Sequence, residues 1–153
     1  MVLQMTTLSF FVSGVPVAWQ RARVATSAFG KMRFVNPTSL TAWQEQVAAA
    51  AVMAIRASNY RFSKAYTVTT TFHLPMPPSW SRKKQLTMIG KPHAQKPDID
   101  NLLKAVLEIM SKPDGKRPRA WLMDDDAQIT TITAEKRWCA PADAGVAVTV
   151  AVG

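Results

Sequence analysis

The chain has 153 residues, 48% of them hydrophobic, which is enough for one packed core and too little for two domains of ordinary size. No apolar run reaches the roughly 18–20 residues of a membrane span. The net charge of +9 and a pI near 10.1 point to a polyanionic partner, nucleic acid first. Residues 1–12 lack a charged n-region and a small-residue cleavage site, so no secretory leader is read there. Cys139 is the only cysteine, which excludes an internal disulfide and fits a cytoplasmic location.

The charge is unevenly spread. Residues 1–97 hold twelve Lys or Arg against a single acid, Glu45, while seven of the ten acids fall between Asp98 and Asp126. A solvated surface mixes signs. A basic body around one acidic centre suggests a metal site facing phosphate.

In chain order, Leu8–Val15 reads as a first strand, ended by Gly14 and Pro16. Gln20–Val35 is a polar loop or hairpin carrying Arg21, Arg23, Lys31 and Arg33 around Gly30. Pro37 then opens a helix over Leu40–Ala57, rich in Ala and Gln. Tyr66–Leu74 alternates β-branched and aromatic residues and reads as a strand, closed by Pro75, Pro77 and Pro78. Ser79–Pro97 is a basic loop, long for a structureless connection. Ile99–Met110 is a second helix, followed by the basic segment Ser111–Arg119. Ile129–Trp138 and Gly145–Val152 are the last strands, expected to form a hairpin. The expected class is α+β: one domain, a mixed sheet and two main helices packed on one face.

The segment Lys96-Pro-Asp-Ile-Asp-Asn-Leu-Leu-Lys104 carries the most chemistry. Ile99, Leu102, Leu103, Val106, Leu107 and Met110 follow helical spacing and leave Asp100, Asn101, Lys104 and Glu108 on the polar face. Two helical aspartates two positions apart would diverge by about 200°. Asp98 escapes that geometry if it takes the N-cap, and Pro97 favours this by keeping Lys96 extended. Both carboxylates could then serve one ion. Taken alone, the segment is equally well explained by a capped helix with an Asp100–Lys104 surface pair. The second acidic group, Asp124-Asp125-Asp126, tips the balance, because adjacent carboxylates repel and a divalent cation relieves them. Magnesium takes hard oxygen ligands, few of them from protein.

Those two stretches, Lys96–Lys104 and Asp125-Asp-Ala-Gln-Ile129, together resemble the signature of RusA-type Holliday junction resolvases. Pro16 to Asn36 resembles that family's basic N-terminal loop, and Pro78-Ser-Trp-Ser-Arg-Lys-Lys84 the loop before its active site. The resemblance covers nearly the whole chain, taken as one RusA-like domain over residues 1–153. It implies three acidic ligands and an essential lysine: Asp98, Asp100 and Asp126, with Lys104. Asp125 is the alternative third ligand, since the register rests on Ala127-Gln128. It also implies Mg²⁺ or Mn²⁺, products with 5′-phosphate and 3′-hydroxyl ends, a branched-DNA substrate and a C2 homodimer. Glu108 departs from the family, which often has Asp there. The link to the acidic turn is longer here and carries Lys112, Lys116, Arg117 and Arg119.

Lys104 is assigned to stabilising transition-state charge or to positioning water, not to general-base work. Arg21, Arg23, Lys31, Arg33, Trp80, Arg82, Lys83, Lys84 and Lys96 are the expected DNA contacts. Trp19, Trp43, Trp121 and Trp138 are expected in the core. His73 is expected to be packed or at an edge, and His93 to contact phosphate or nothing. Two other functions fit parts of the pattern. A non-catalytic protein binding branched or single-stranded DNA would not need the acids. A metal-dependent hydrolase of nucleotides or RNA would not explain so basic an N-terminal two-thirds.

Overall fold

The computed structural model describes residues 6–35, 37–115 and 119–152, and for 23 and 33–35 the backbone alone. Its strands are β1 (Thr7–Ser13), β2 (Arg23–Thr26), β3 (Met32–Val35), β4 (Tyr66–Pro75), β5 (Ile129–Cys139) and β6 (Gly145–Val152). Three α-helices, α1 (Thr38–Arg56), α2 (Arg82–Met88) and α3 (Ile99–Leu107), complete an α+β fold.

The main sheet has the order β1-β6-β4-β5, with β4 and β5 parallel and the other pairs antiparallel. The expected hairpin of the last two strands does not form, because β4 lies between them. A short turn over Pro141–Asp143 carries the chain across the end of β4, where the Met76 amide donates to the Cys139 carbonyl. Gly145 starts β6 because a Cβ there would collide with the Phe11 ring and the Val12 carbonyl.

Strand alternation sets the core. Tyr66, Val68, Thr70, Phe72 and Leu74 of β4 point inward with Leu8 and Val12 of β1 and Val146, Val148 and Val150 of β6. Helix α1 covers this face with Leu40, Trp43, Val47 and Ala51, and α3 with Leu102, Ala105 and Val106. Buried Gln44 ties the two helices together, its side-chain amide donating to the Ala105 carbonyl at 3.0 Å and to the Glu108 carboxylate at 3.1 Å. β2 and β3 form a separate hairpin turning at Gly30, whose φ of +76° is the left-handed conformation a tight turn needs.

Three other expectations change. Ser79–Pro97 is not a loop throughout, because Ser81 caps α2 by accepting from the Lys84 amide. Ile99 lies on the exposed side at the start of α3 rather than on its apolar face. The second helix ends at Leu107, three residues early, where the chain turns so that the Ile109 and Met110 carbonyls pair with Ala120, Leu122 and Met123.

Candidate active site

Asp98 occupies the N-cap of α3 in extended geometry (φ −70°, ψ 141°), while Asp100 is in the first turn. The Asp98 carboxylate makes no capping bond to α3. The Asp98 carboxylate meets the Lys96 ammonium at 2.7 Å, and Asp100 accepts from the neighbouring Asn101 amide at 2.9 Å. Both line a hollow with His93, Gln95, Lys96 and Lys136.

The loop before α3 is fixed from the sheet. Lys136 on β5 donates to the carbonyls of Gln95 at 2.6 Å and Pro97 at 2.8 Å. The His93 amide donates to the Lys136 carbonyl, and the Lys91 carbonyl accepts from the Trp138 amide, so residues 90–93 run along the edge of β5. Sequence reading missed Lys136; its only signal was a cation inside a strand pattern, two residues before Trp138.

His93 is buried, not a free phosphate contact, and its ring lies 3.9 Å from that of Trp138. Burial pushes its pKa down, and the nearby Lys136 charge pushes it further. His73 is half-buried beside Phe11, as a packed histidine.

The acidic turn is built differently. Asp125 caps a short 3₁₀ turn, Asp126–Gln128, by accepting from the Ala127 amide at 2.8 Å. Gln128 reaches back, its carbonyl oxygen accepting from the amides of Asp124 and Asp125. The Ala127 amide holds the Asp125 carboxyl below its ordinary range, and its hydrogen bond to Asp126 acts the same way. That same bond, with partial burial and the Asp125 charge, raises Asp126. Asp125 is thus occupied as a cap, and Asp126 is a carboxylate destabilised by its neighbour. Asp124, Asp125 and Asp126 line a cleft of about 390 Å³ with Glu108, Ser111, Lys112 and Arg119.

The two acidic groups therefore line two different hollows. Glu108 shares the cleft of the acidic turn and lies eight positions after Asp100 at the end of α3, about 12 Å along the axis. Lys104 lies between them in sequence and is exposed; its ammonium sits over the Trp19 ring, not on Asp100. Trp19 is half-buried, packed against the core rather than inside it, and its amide donates to the Asn101 carbonyl at 2.9 Å. Among the described residues no three His, Cys, Asp or Glu side chains stand together as a ligand set. The donors nevertheless fit a hard divalent ion in kind, since they are carboxylates and a cation already sits on Asp98, the Lys96 ammonium.

Of the expected DNA contacts, Arg21, Lys31, Arg82, Lys83, Lys84 and Lys96 are exposed. The side chains of Arg23 and Arg33, and all of Lys116 and Arg117, lie outside the described residues. Trp80 is half-buried, with its ring 4.7 Å from that of Trp138 and the Lys84 ammonium 4.3 Å above it. Trp43 and Trp138 are in the core, but Trp121 is 45% exposed, because its neighbours Ala120 and Leu122 take the buried positions on either side.

The family model for endodeoxyribonuclease RusA matches residues 13–151, from the end of β1 to the end of β6. The chain belongs to the RusA family. It is an endodeoxyribonuclease, a hydrolase of phosphodiester bonds, and the RusA family is one of Holliday junction resolving enzymes that bind branched DNA. Nucleases of this kind generally work with divalent metal ions. No curated protein sequence matches the chain closely enough to stand as a relative. None of the described helices is long and apolar enough to cross a membrane.

Proposed function

We propose that this RusA-family chain resolves four-way junctions by paired, symmetric nicks in a magnesium- or manganese-dependent reaction, acting as a homodimer. The observation that carries the reading is that the exposed acids at the start of α3 and in the Asp124–Asp126 turn are concentrated in a chain of net charge +9. Asp98 and Asp100 from one hollow and Asp126 from the other would hold one or two ions, with Asp125 supporting the turn as its cap. The ion would supply an activated water and charge neutralisation at the scissile phosphate. Lys104, exposed and steadied by Trp19, is the protein's own cation for the charge that develops during cleavage. The basic surfaces around Lys31, Arg82, Lys83 and Lys84 hold the phosphate backbone without reading sequence.

A four-way junction has two-fold symmetry and needs two matching cuts, which a C2 dimer supplies from one scaffold. β1 is the strand edge open to such a dimer contact among the described residues, whereas β6 is paired on both sides. A synthetic junction incubated with Mg²⁺ and mapped for nicks tests the reading. Symmetric nicks on strands of like polarity, bearing 5′-phosphates, are expected, and none with the ion chelated. Unpaired nicks from a protein that sediments as a monomer at micromolar concentration would replace resolution by general structure-specific nicking.

A further inference from the structure

Three aromatic side chains sit together at the surface beside the acidic cleft. Tyr60 and Phe62 belong to the connection between α1 and β4, and Trp121 to the segment that leads into the acidic turn. The Tyr60 and Phe62 rings meet edge to face at 5.9 Å, and Phe62 lies 5.7 Å from Trp121. Phe62 is 58% exposed and Trp121 45% exposed. Scattered exposed apolar residues need no explanation, but two large rings side by side in water do.

The rings are also held in place. The Tyr60 hydroxyl donates to the Leu122 carbonyl, and Gln128 donates to the Ser63 carbonyl at 3.1 Å, so the Phe62 loop is fastened at two points to the segment carrying the acids. The Trp121 indole N–H donates to Asp124 at 3.1 Å, and the Lys112 ammonium stands 5.4 Å from its ring. Asp124 and Lys112 both line the acidic cleft, so the aromatic surface is continuous with it. Arg61 and Lys64, one residue before and two after Phe62 in the chain, are both exposed.

Flat, immobilised aromatic faces bordered by cations match one ligand chemistry well: an unpaired nucleobase, whose ring stacks while the flanking phosphates meet the cations. We propose that Phe62 and Trp121 form a stacking platform for a base unpaired at the branch, next to the site of cutting. The proposal deepens the nuclease reading and rests on DNA reaching the acidic cleft. At a junction, the strands exchange where pairing is weakest, and a stacked base there would fix which phosphate faces Asp126.

The test uses a duplex with one bulged 2-aminopurine, the same duplex fully paired, and a four-way junction, all with the divalent ion chelated. Wild type should bind the bulged duplex more tightly than the paired one and quench the 2-aminopurine. Trp121→Ala and Phe62→Ala should each weaken bulge and junction binding about tenfold, spare the paired duplex and leave the probe bright. Trp121→Phe, which keeps a ring, should restore most of the quench and controls for folding. Equal losses on bulged and paired duplex, or an unchanged quench, would overturn the proposal. So would a variant that turns a dimer into monomers while still quenching, since the patch would then belong to a second copy of the chain. Junction nicking by wild type in Mg²⁺ is scored separately, so a protein that quenches but does not nick defeats the resolvase reading alone.

Discussion

The Lys104 ammonium lies 3.5 Å from the centroid of the Trp19 ring. A lysine on an exposed helix face would otherwise sample many rotamers, and the ring selects those that stand over it. Trp19 is itself anchored by its amide on the Asn101 carbonyl, one turn before Lys104. Lys104→Ala should therefore slow junction cutting by about 100-fold or more while changing binding little. Trp19→Ala should slow cutting by a smaller factor, about 3- to 30-fold, and Trp19→Phe should recover most of it. Single-turnover cutting rates beside binding curves check this; a Lys104→Ala enzyme that cuts near the wild-type rate would reduce the residue to a surface charge.

The capping role of Asp125 separates it from Asp126. Asp98→Asn, Asp100→Asn and Asp126→Asn should each abolish cutting and leave junction binding intact or tighter, since each removes a negative charge facing phosphate. Asp125→Asn keeps an acceptor for the Ala127 amide and should still cut. Asp125→Ala loses the cap and should lower the melting temperature. Nicking assays and thermal melts on the five variants settle the register: a dead Asp125→Asn with an active Asp126→Asn would exchange their roles.

Helix α2 presents Arg82, Lys83 and Lys84 to solvent in its first turn, with Lys84 leaning over Trp80. Replacing all three with alanine should weaken binding to every DNA tested. The slope of log K against log salt should fall by about 0.9 for each phosphate that the variant no longer neutralises. A salt titration with an unchanged slope would place α2 away from the DNA.

His93 gives a dependence on acid. Burial, then the Lys136 charge, lowers its folded pKa from the ordinary 6.5, so the unfolded chain binds the proton more readily. The stability His93 contributes is present above about pH 6.5 and is lost as the pH falls from there toward the folded value. Wild-type Tm should drop more steeply between pH 7 and 5 than that of His93→Gln. Parallel slopes for the two proteins would remove His93 as the cause.

Much of the frame was legible in the residues. The Ala and Gln content of α1 behind Pro37, the 3.6-residue spacing in α3 and the strict alternation of Val146, Val148, Val150 and Val152 marked out elements within a few residues of those observed. What failed was pairing. Nothing local in Ile129–Trp138 or Gly145–Val152 says that β4 must lie between them, because strand order depends on long-range packing. The short helix α2 escaped for a related reason: seven residues of Arg, Lys, Gln, Leu, Thr and Met with no buried member show no periodicity, and only the Ser81 cap marks them. Trp121 was assigned to the core by residue type, whereas its neighbours Ala120, Leu122 and Met123 had the stronger claim to the interior. At the site, the Asp98 cap followed from Pro97 and the spacing of the acids, but Lys136 and Gln128, which fix the two acidic loops, act through backbone carbonyls and amides no side-chain pattern records.

β6 carries one more consequence. It binds β1 on one side and β4 on the other, although both are made long before it: Thr7 meets Ala151 and Tyr66 meets Val152. On the ribosome, a chain that has already emerged as far as the acidic turn still holds β1 and β4 apart, with their apolar faces unjoined. The most non-local pairings of the fold thus form late and slowly. A DNA-cutting protein that cannot assemble its scaffold until β6, the second strand after its acids, has been translated has a built-in delay. Interrupted synthesis would release fragments that carry every acidic residue of the site and no sheet to hold them.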